Sequence, residues 1–384
     1  MKKLLGYWKR AGFEYQQWKW RRYFNRCNAV YQKWEQKWLA SDAEILLGPH
    51  FLKEGGVRNH ILAIQKFSSR RVKLVPGERE LSKFGSNPFT ENSEKFLKLP
   101  PPKTAIAVHS HVLPWLIDWA EIHSSDSLRW IHTHHSIYYP SNSALTLEPW
   151  ERQLNEAMLR GARKSHLCLC VSRWQQAELK QDYGIEATFI PNGVDVSLCD
   201  NANSSNFKKI HKMDSPFALW IGRFDPIKNP VDFVRLAIET PGQHFVMIGG
   251  VTKEQLNREH NLSIPKNLKL LPAMSHREVL DAIAACNVLV VTSLREGLPT
   301  LVLEAMAMQK QIIVPNEFGC LDATDGDANA RIYTHGNLTQ LREKLSEAMA
   351  DKSLRYSARQ RVLSEFDWRV VAAKLDRIYA GEVP

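Results

Sequence analysis

The chain lacks any apolar run approaching the roughly 20 residues that a membrane-spanning helix needs. Its opening, Met-Lys-Lys-Leu-Leu-Gly-Tyr-Trp-Lys-Arg, also lacks the apolar stretch of a secretion signal. Both absences predict a cytoplasmic protein, with peripheral attachment to the inner face of a membrane left open. Cysteine is scarce, six in 384 residues, and no pair has Cys-x-x-Cys or zinc-finger spacing. Cys168 and Cys170 alternate within Leu-Cys-Leu-Cys-Val and read as small buried hydrophobes. No short-period repeat runs through the chain. Evenly spread charge is missing too. Residues 1–40 hold ten Lys/Arg against Glu14 and Glu35, a balance of +8 out of the net +10, so the remainder is nearly neutral.

That basic block also holds five of the twelve tryptophans: Trp8, Trp18, Trp20, Trp34 and Trp38. Apolar residues at Trp20, Tyr23, Cys27, Tyr31, Trp34 and Trp38 follow a three/four spacing, one stripe of a helix. Arg21, Arg22, Arg26, Lys33 and Lys37 lie off the stripe. Three readings fit: a helix in the interface of an anionic membrane, docking on the chain's own first domain or a second subunit, or nucleic-acid binding.

The length suggests two domains, and the 44% hydrophobic content suffices for real cores. Short apolar segments alternate with helical ones. Strands are expected at Ala43–Leu47, Arg71–Val75, Thr104–Val108, Leu128–Thr133, His166–Val171 and Thr188–Ile190. Later ones are expected at Phe217–Ile221, His244–Ile248, Leu268–Leu271, Val288–Val291 and Gln311–Val314. Helices are expected at Arg58–Ser68, Glu148–Lys164, Arg173–Asp182, Val231–Glu239, His276–Ala285, Pro299–Met308, Thr339–Ala350 and Asp367–Ala380. This alternation means parallel, doubly wound α/β sheets. Residues 77–102 read as a long excursion, and the polar run Leu198–Ser215 as the interdomain linker.

The run Ser-Leu-Arg-Glu-Gly-Leu-Pro-Thr-Leu-Val-Leu-Glu-Ala-Met-Ala, residues 293–307, follows the strand at Val288. Pro299 is placed to open a helix at its first turn. Glu296 then lies on the strand-to-helix loop, at the sheet edge where ligands bind in open α/β folds, and Glu304 inside the helix. The free amides near Thr300 and Leu301 can hold an anion. Two carboxylates beside an anion site suit a ligand bearing both phosphates and hydroxyls. A second segment runs from Trp220 through Gly222 and Arg223 to Lys228 and Asn229. Its glycine permits close backbone approach, and its cations suit a phosphate, although taken alone they read more readily as a solvated surface pair. His109, His111, His132, His134 and His135 cluster at two strand ends. No Asp, Glu or Cys has metal spacing near them, so strand-end polarity or structural histidines are favoured over a metal. Asp325-Gly326-Asp327 reads as a surface turn.

In order and spacing these blocks resemble the retaining, GT-B-fold glycosyltransferases of family 4. The blocks are Gly-Arg-x5-Lys at 222–228, Glu-Gly-Leu-Pro-Thr-x3-Glu-Ala-Met-Ala at 296–307, Ile-Pro-Asn-Gly-Val-Asp at 190–195 and Val-Ser-Arg-Trp at 171–174. Gly-Gly-Val-Arg-Asn-His at 55–60 and the histidine segments 109–111 and 130–135 add to the likeness, which covers about residues 43–380. Where that family often has Gly-Gly-x-x-Glu, this chain has Phe318-Gly319-Cys320-Leu321-Asp322.

The resemblance implies a GT-B fold: two Rossmann-like, doubly wound parallel-sheet domains with an inter-domain cleft. Its divisions would be a basic N-terminal segment (1–42), an acceptor domain (43–197), a nucleotide-sugar domain (198–365) and a C-terminal helix (366–384) returning to the first domain. It implies Arg223 and Lys228 on the donor diphosphate and Glu296 on the sugar hydroxyls. Glu304 would meet the ribose, and the backbone of Gly297, Leu298, Thr300 and Leu301 the sugar or phosphate. Gly55, Gly56 and Gly222 would give close approach to the donor. His135 would be the active-site histidine, with His134 as the alternative. It further implies a nucleotide-sugar donor as co-substrate, no metal, and a glycan or lipid-linked acceptor in cell-surface polysaccharide or glycolipid synthesis. Residues 1–40 lie outside the family's usual pattern; their own composition, not the resemblance, points to an anionic membrane surface, and no nucleic acid is expected. The rivals are a GT-B phosphorylase or epimerase, and a membrane- or nucleic-acid-binding protein that kept the fold without catalysis.

Overall fold

The computed structural model describes residues 32–48, 55–75, 96–138, 146–350 and 355–382. Among them the strands form two six-stranded sheets. The first contains β1 (Ile45–Gly48), β2 (Val72–Leu74), β3 (Ala107–Ser110), β4 (Arg129–His134), β5 (Leu167–Cys170) and β6 (Thr188–Phe189), in the order β2-β1-β3-β4-β5-β6. The second contains β7 (Phe217–Ile221), β8 (His244–Ile248), β9 (Leu268–Leu271), β10 (Val288–Val290), β11 (Gln311–Pro315) and β12 (Arg331–Tyr333), in the order β12-β11-β10-β7-β8-β9. Pairing is parallel, with Phe217 opposite His244 and Ile221 opposite Ile248, for example. Such strands are covered on both faces, which is why they read as unbroken apolar runs; Ile45, Leu46 and Leu47 are all fully buried.

By internal contacts the chain forms two compact units, Met1–Thr133 with Leu154–Cys168, and His134–Gln153 with Leu169–Pro384. In the first unit, residues 32–39 are helical. Trp38 is fully buried and Trp34 nearly so. The Trp38 indole donates to the Pro100 carbonyl at 2.7 Å and meets Trp119 edge-on at 5.7 Å. Phe96 and Leu99 join the same core. Trp34 and Trp38 are therefore corrected from the membrane reading: they stabilise their own unit and cannot lie among headgroups. Trp8, Trp18 and Trp20, and most of the 77–102 excursion, lie outside the described residues.

The expected linker is corrected as well. It is two short helices, Val196–Asp200 and Ser204–His211, with Phe207 buried against Phe217 at 6.2 Å. Asp195 accepts from the Leu198 amide and Asn203 from the Asn206 amide. The polar residues that suggested a linker are helix caps. Pro299 stands at the N-cap of its helix, one residue earlier than expected, because its extended ψ of 105° precedes the first turn at Thr300. Asp325-Gly326-Asp327 is a turn, entered through Asp325 at φ 56°. No helix among the described residues is long and apolar enough to cross a membrane.

Candidate active site

The second sheet reverses its winding at β7 and β10: β8 and β9 lie beyond one, β11 and β12 beyond the other. Ligands of open α/β sheets bind outside the strand ends at such a point. The loops leaving those ends, residues 222–229 and 291–299, carry Arg223, Lys228 and Glu296.

These loops are stitched together. The Leu294 amide donates to the Ile227 carbonyl at 2.7 Å. The Thr292 hydroxyl accepts from the Trp220 indole at 2.9 Å and donates toward the Lys228 and Asn229 carbonyls. Asn229 takes a left-handed φ of 44°, which Asn tolerates. Lys228 Nζ then donates to Glu296 Oε1 at 2.6 Å, with the side chains 28% and 14% exposed. Partial burial makes this pair stronger than a surface ion pair. Arg223 instead reaches into solvent, its side chain 84% exposed, 3.4 Å from Asp225.

The glycines divide. A Cβ on Gly222 would strike the Trp220 ring at 2.7 Å, and one on Gly249 would strike the Gly222 carbonyl at 1.6 Å. Gly222 thus also packs closely within its own sheet, where neither it nor Gly249 has room for a side chain. A Cβ on Gly297 would come within 2.9 Å of the His135 carbonyl, and the Gly297 carbonyl accepts from the Trp174 indole at 3.0 Å. Leu298 is a core side chain whose carbonyl accepts from Asn192 at 3.2 Å, so only its backbone can serve a ligand. Thr300 and Leu301 open the helix Thr300–Ala307, whose N-cap has no side-chain hydrogen bond. Their amides remain suited to an anion. Gly55 and Gly56 belong to the first unit, at the start of the helix Gly56–Phe67 that follows β1. A Cβ on either would meet nothing within 4 Å.

Glu304 is buried within the helix Thr300–Ala307. Its Oε1 lies 2.6 Å from His276 Nε2, and its Oε2 has no hydrogen-bond partner among the described residues. Glu317 was missed by the sequence. Its carboxylate accepts from the amides of Cys320, Gly319 and Glu296, yet burial pushes its pKa up. His276 was missed too, since nothing in a Ser-x-x-Glu capping box shows where the intervening ring points.

The histidines separate by environment. In the first unit His109 meets the Thr133 hydroxyl at 2.6 Å and stacks on His111, and burial holds its pKa well below the usual range. His132 meets the Ser110 hydroxyl at 2.9 Å. His134 is buried at the end of β4, where burial lowers its pKa to about 4. His135 follows, half-buried, with its carbonyl accepting from Gln175.

A cleft of about 560 Å³ brings Arg223, Glu296 and Gly297 together with Ser136, Tyr138 and Trp150. That is within the size range of small-molecule sites.

The family model for glycosyl transferases group 1 matches residues 202–362, and that for glycosyltransferase family 4 matches residues 92–198. An uncharacterized glycosyltransferase of Methanocaldococcus jannaschii is 26% identical over 218 residues, covering 55% of this chain and 58% of that protein. The N,N'-diacetylbacillosaminyl-diphospho-undecaprenol alpha-1,3-N-acetylgalactosaminyltransferase of Campylobacter jejuni is 25% identical over 182 residues, covering 45% and 46%. The chain spans about half the length of the curated relatives it matches. Among solved structures, Anabaena HepE with UDP-glucose superposes with a TM-score of 0.69 at 16% identity, over 88% of this chain and 100% of that one.

Proposed function

The chain belongs to the family 4 glycosyltransferases, with their GT-B fold, and from that premise we propose that it moves a sugar from a nucleotide-sugar donor to a glycan or lipid-linked acceptor, with retention at the anomeric carbon. The observation that carries the reading is the Lys228–Glu296 pair at 2.6 Å beside Arg223. In this reading the donor diphosphate exchanges with Glu296 for Lys228 and recruits Arg223 and the amides of Thr300 and Leu301. Fixed cations then meet the charge that grows on the leaving group. Glu296 takes the hydroxyls of the transferred sugar, and the unpartnered Glu304 oxygen accepts from the ribose. The acceptor oxygen bonds to the anomeric carbon as the bond to phosphate breaks, and the leaving phosphate oxygen takes the acceptor proton on the same face. His135 borders this site, and no resident metal is needed. The UDP-glucose complex of HepE supports a nucleotide-sugar donor. The undecaprenol-diphosphate acceptor in the Campylobacter name supports a lipid-linked one, in polysaccharide or glycoconjugate synthesis.

The test is transfer by Lys228→Ala and Glu296→Gln. Each should lower kcat/KM by about 10²–10³, the scale of losing one preorganised electrostatic contact, with the circular dichroism spectrum unchanged. Wild-type turnover in either variant would overturn the proposal.

A further inference from the structure

The cleft that holds Glu296 is also lined by the aromatic residues Tyr138 and Trp150. Trp150 is the second residue of the helix Pro149–Lys164, and it meets Tyr138 edge-on at 5.1 Å. Both residues stay open to solvent, Trp150 by 52% and Tyr138 by 36%. An indole this exposed forgoes much of the burial that usually secures tryptophan. Its neighbours are fixed and polar. Glu151 is 7% exposed and accepts from the Glu148 amide at 2.8 Å. The Tyr138 phenol is pushed up by burial and by Glu151, with Arg223 opposing, so all three groups share one locality.

The occupant follows from this mixture. A pyranose ring offers C–H groups on one face and hydroxyls around its rim, matching an aromatic face bordered by a carboxylate and a guanidinium. A hydrocarbon chain would need an unbroken apolar lining, and Ser136, Glu151, Arg223, Asp225, Arg295 and Glu296 interrupt this one. A donor nucleobase would lie beyond Glu304, which does not line the cleft. We propose that Trp150 and Tyr138 are the stacking platform for the acceptor sugar, the ring that carries the attacking hydroxyl. This rests on the transfer reading above and adds the acceptor-side subsite to it.

Saturation-transfer NMR with the methyl glycosides of glucose, galactose, mannose and N-acetylglucosamine tests it on the wild type, Trp150→Ala and Trp150→Phe. UDP- and GDP-induced thermal shifts are recorded in parallel. At least one glycoside should receive saturation from the wild type. Trp150→Ala should weaken that binding about tenfold or more, the loss of one stacked ring, while Trp150→Phe retains most of it. Equal binding by Trp150→Ala, or no glycoside bound by the wild type, overturns the platform. The nucleotide arm reports separately. A glycoside held through Trp150 with no nucleotide shift would sink the donor reading, and with it the acceptor role, and leave Trp150 as a sugar-binding residue alone.

Discussion

His134 shows what one residue costs when its polar atoms are walled in. Neither ring nitrogen has a hydrogen-bond partner among the described residues, and burial alone lowers its pKa from 6.5 to about 4. The folded chain therefore refuses a proton that the unfolded chain accepts. The stabilising contribution is complete above pH 6.5 and is lost as pH falls toward 4, by about 3 kcal/mol over that window. His134→Leu should flatten the acid limb of stability between those values. Denaturant unfolding at pH 7, 5.5 and 4.5 would show it, and an unchanged slope would refute it. The sequence put His134 and His135 forward together, because strand alternation gives facing and not solvent access. Arg223, Lys228 and Glu296 were legible, since each sits on a loop that directly follows an apolar strand. The Glu304–His276 contact was not, because two separate helices create it by packing.

At the scale of elements, the helix Phe318–Thr324 acts as a buttress for the Glu296 loop. Glu317 caps that helix and also accepts from the Glu296 amide. A Cβ on Gly319 would stand 2.3 Å from the Glu296 carbonyl and 2.7 Å from that of Gly297. Both obstacles are backbone, so neither can rotate away. Gly319→Ala must push the loop aside, and a shift near 1 Å costs about 10²-fold in rate. Transfer kinetics beside circular dichroism should find that loss with helix content intact; wild-type kinetics would mean the loop tolerates the methyl. In sequence this stretch looked like a departure from the family pattern. In structure its Asp322 accepts from the Trp174 amide at 2.9 Å, which secures the start of the helix Arg173–Tyr183. β7, β8, β9 and the helix His276–Ala285 fall where the apolar pattern put them. The helices at Val196–Asp200 and Ser204–His211 escaped it, because Asp and Asn signal a cap and a loop with the same atoms.

Over the whole molecule, charge is segregated. The +8 of residues 1–40 leaves the remainder, which includes the second sheet, nearly neutral in net charge. Recognition of a diphosphate then depends on local cations at the switch point between β7 and β10. A ligand that binds only the native state raises stability by about 2.7 kcal/mol at a hundredfold excess over Kd. UDP, GDP and ADP should thus separate by the size of their thermal shift, and the largest names the donor base. Lys228→Ala should abolish most of that shift. Raised salt should weaken binding first through Arg223, which is open to solvent, and less through the shielded Lys228. If all three diphosphates leave the melting curve in place at millimolar concentration, Lys228 and Glu296 do not mark a donor site, and their ion pair is structural.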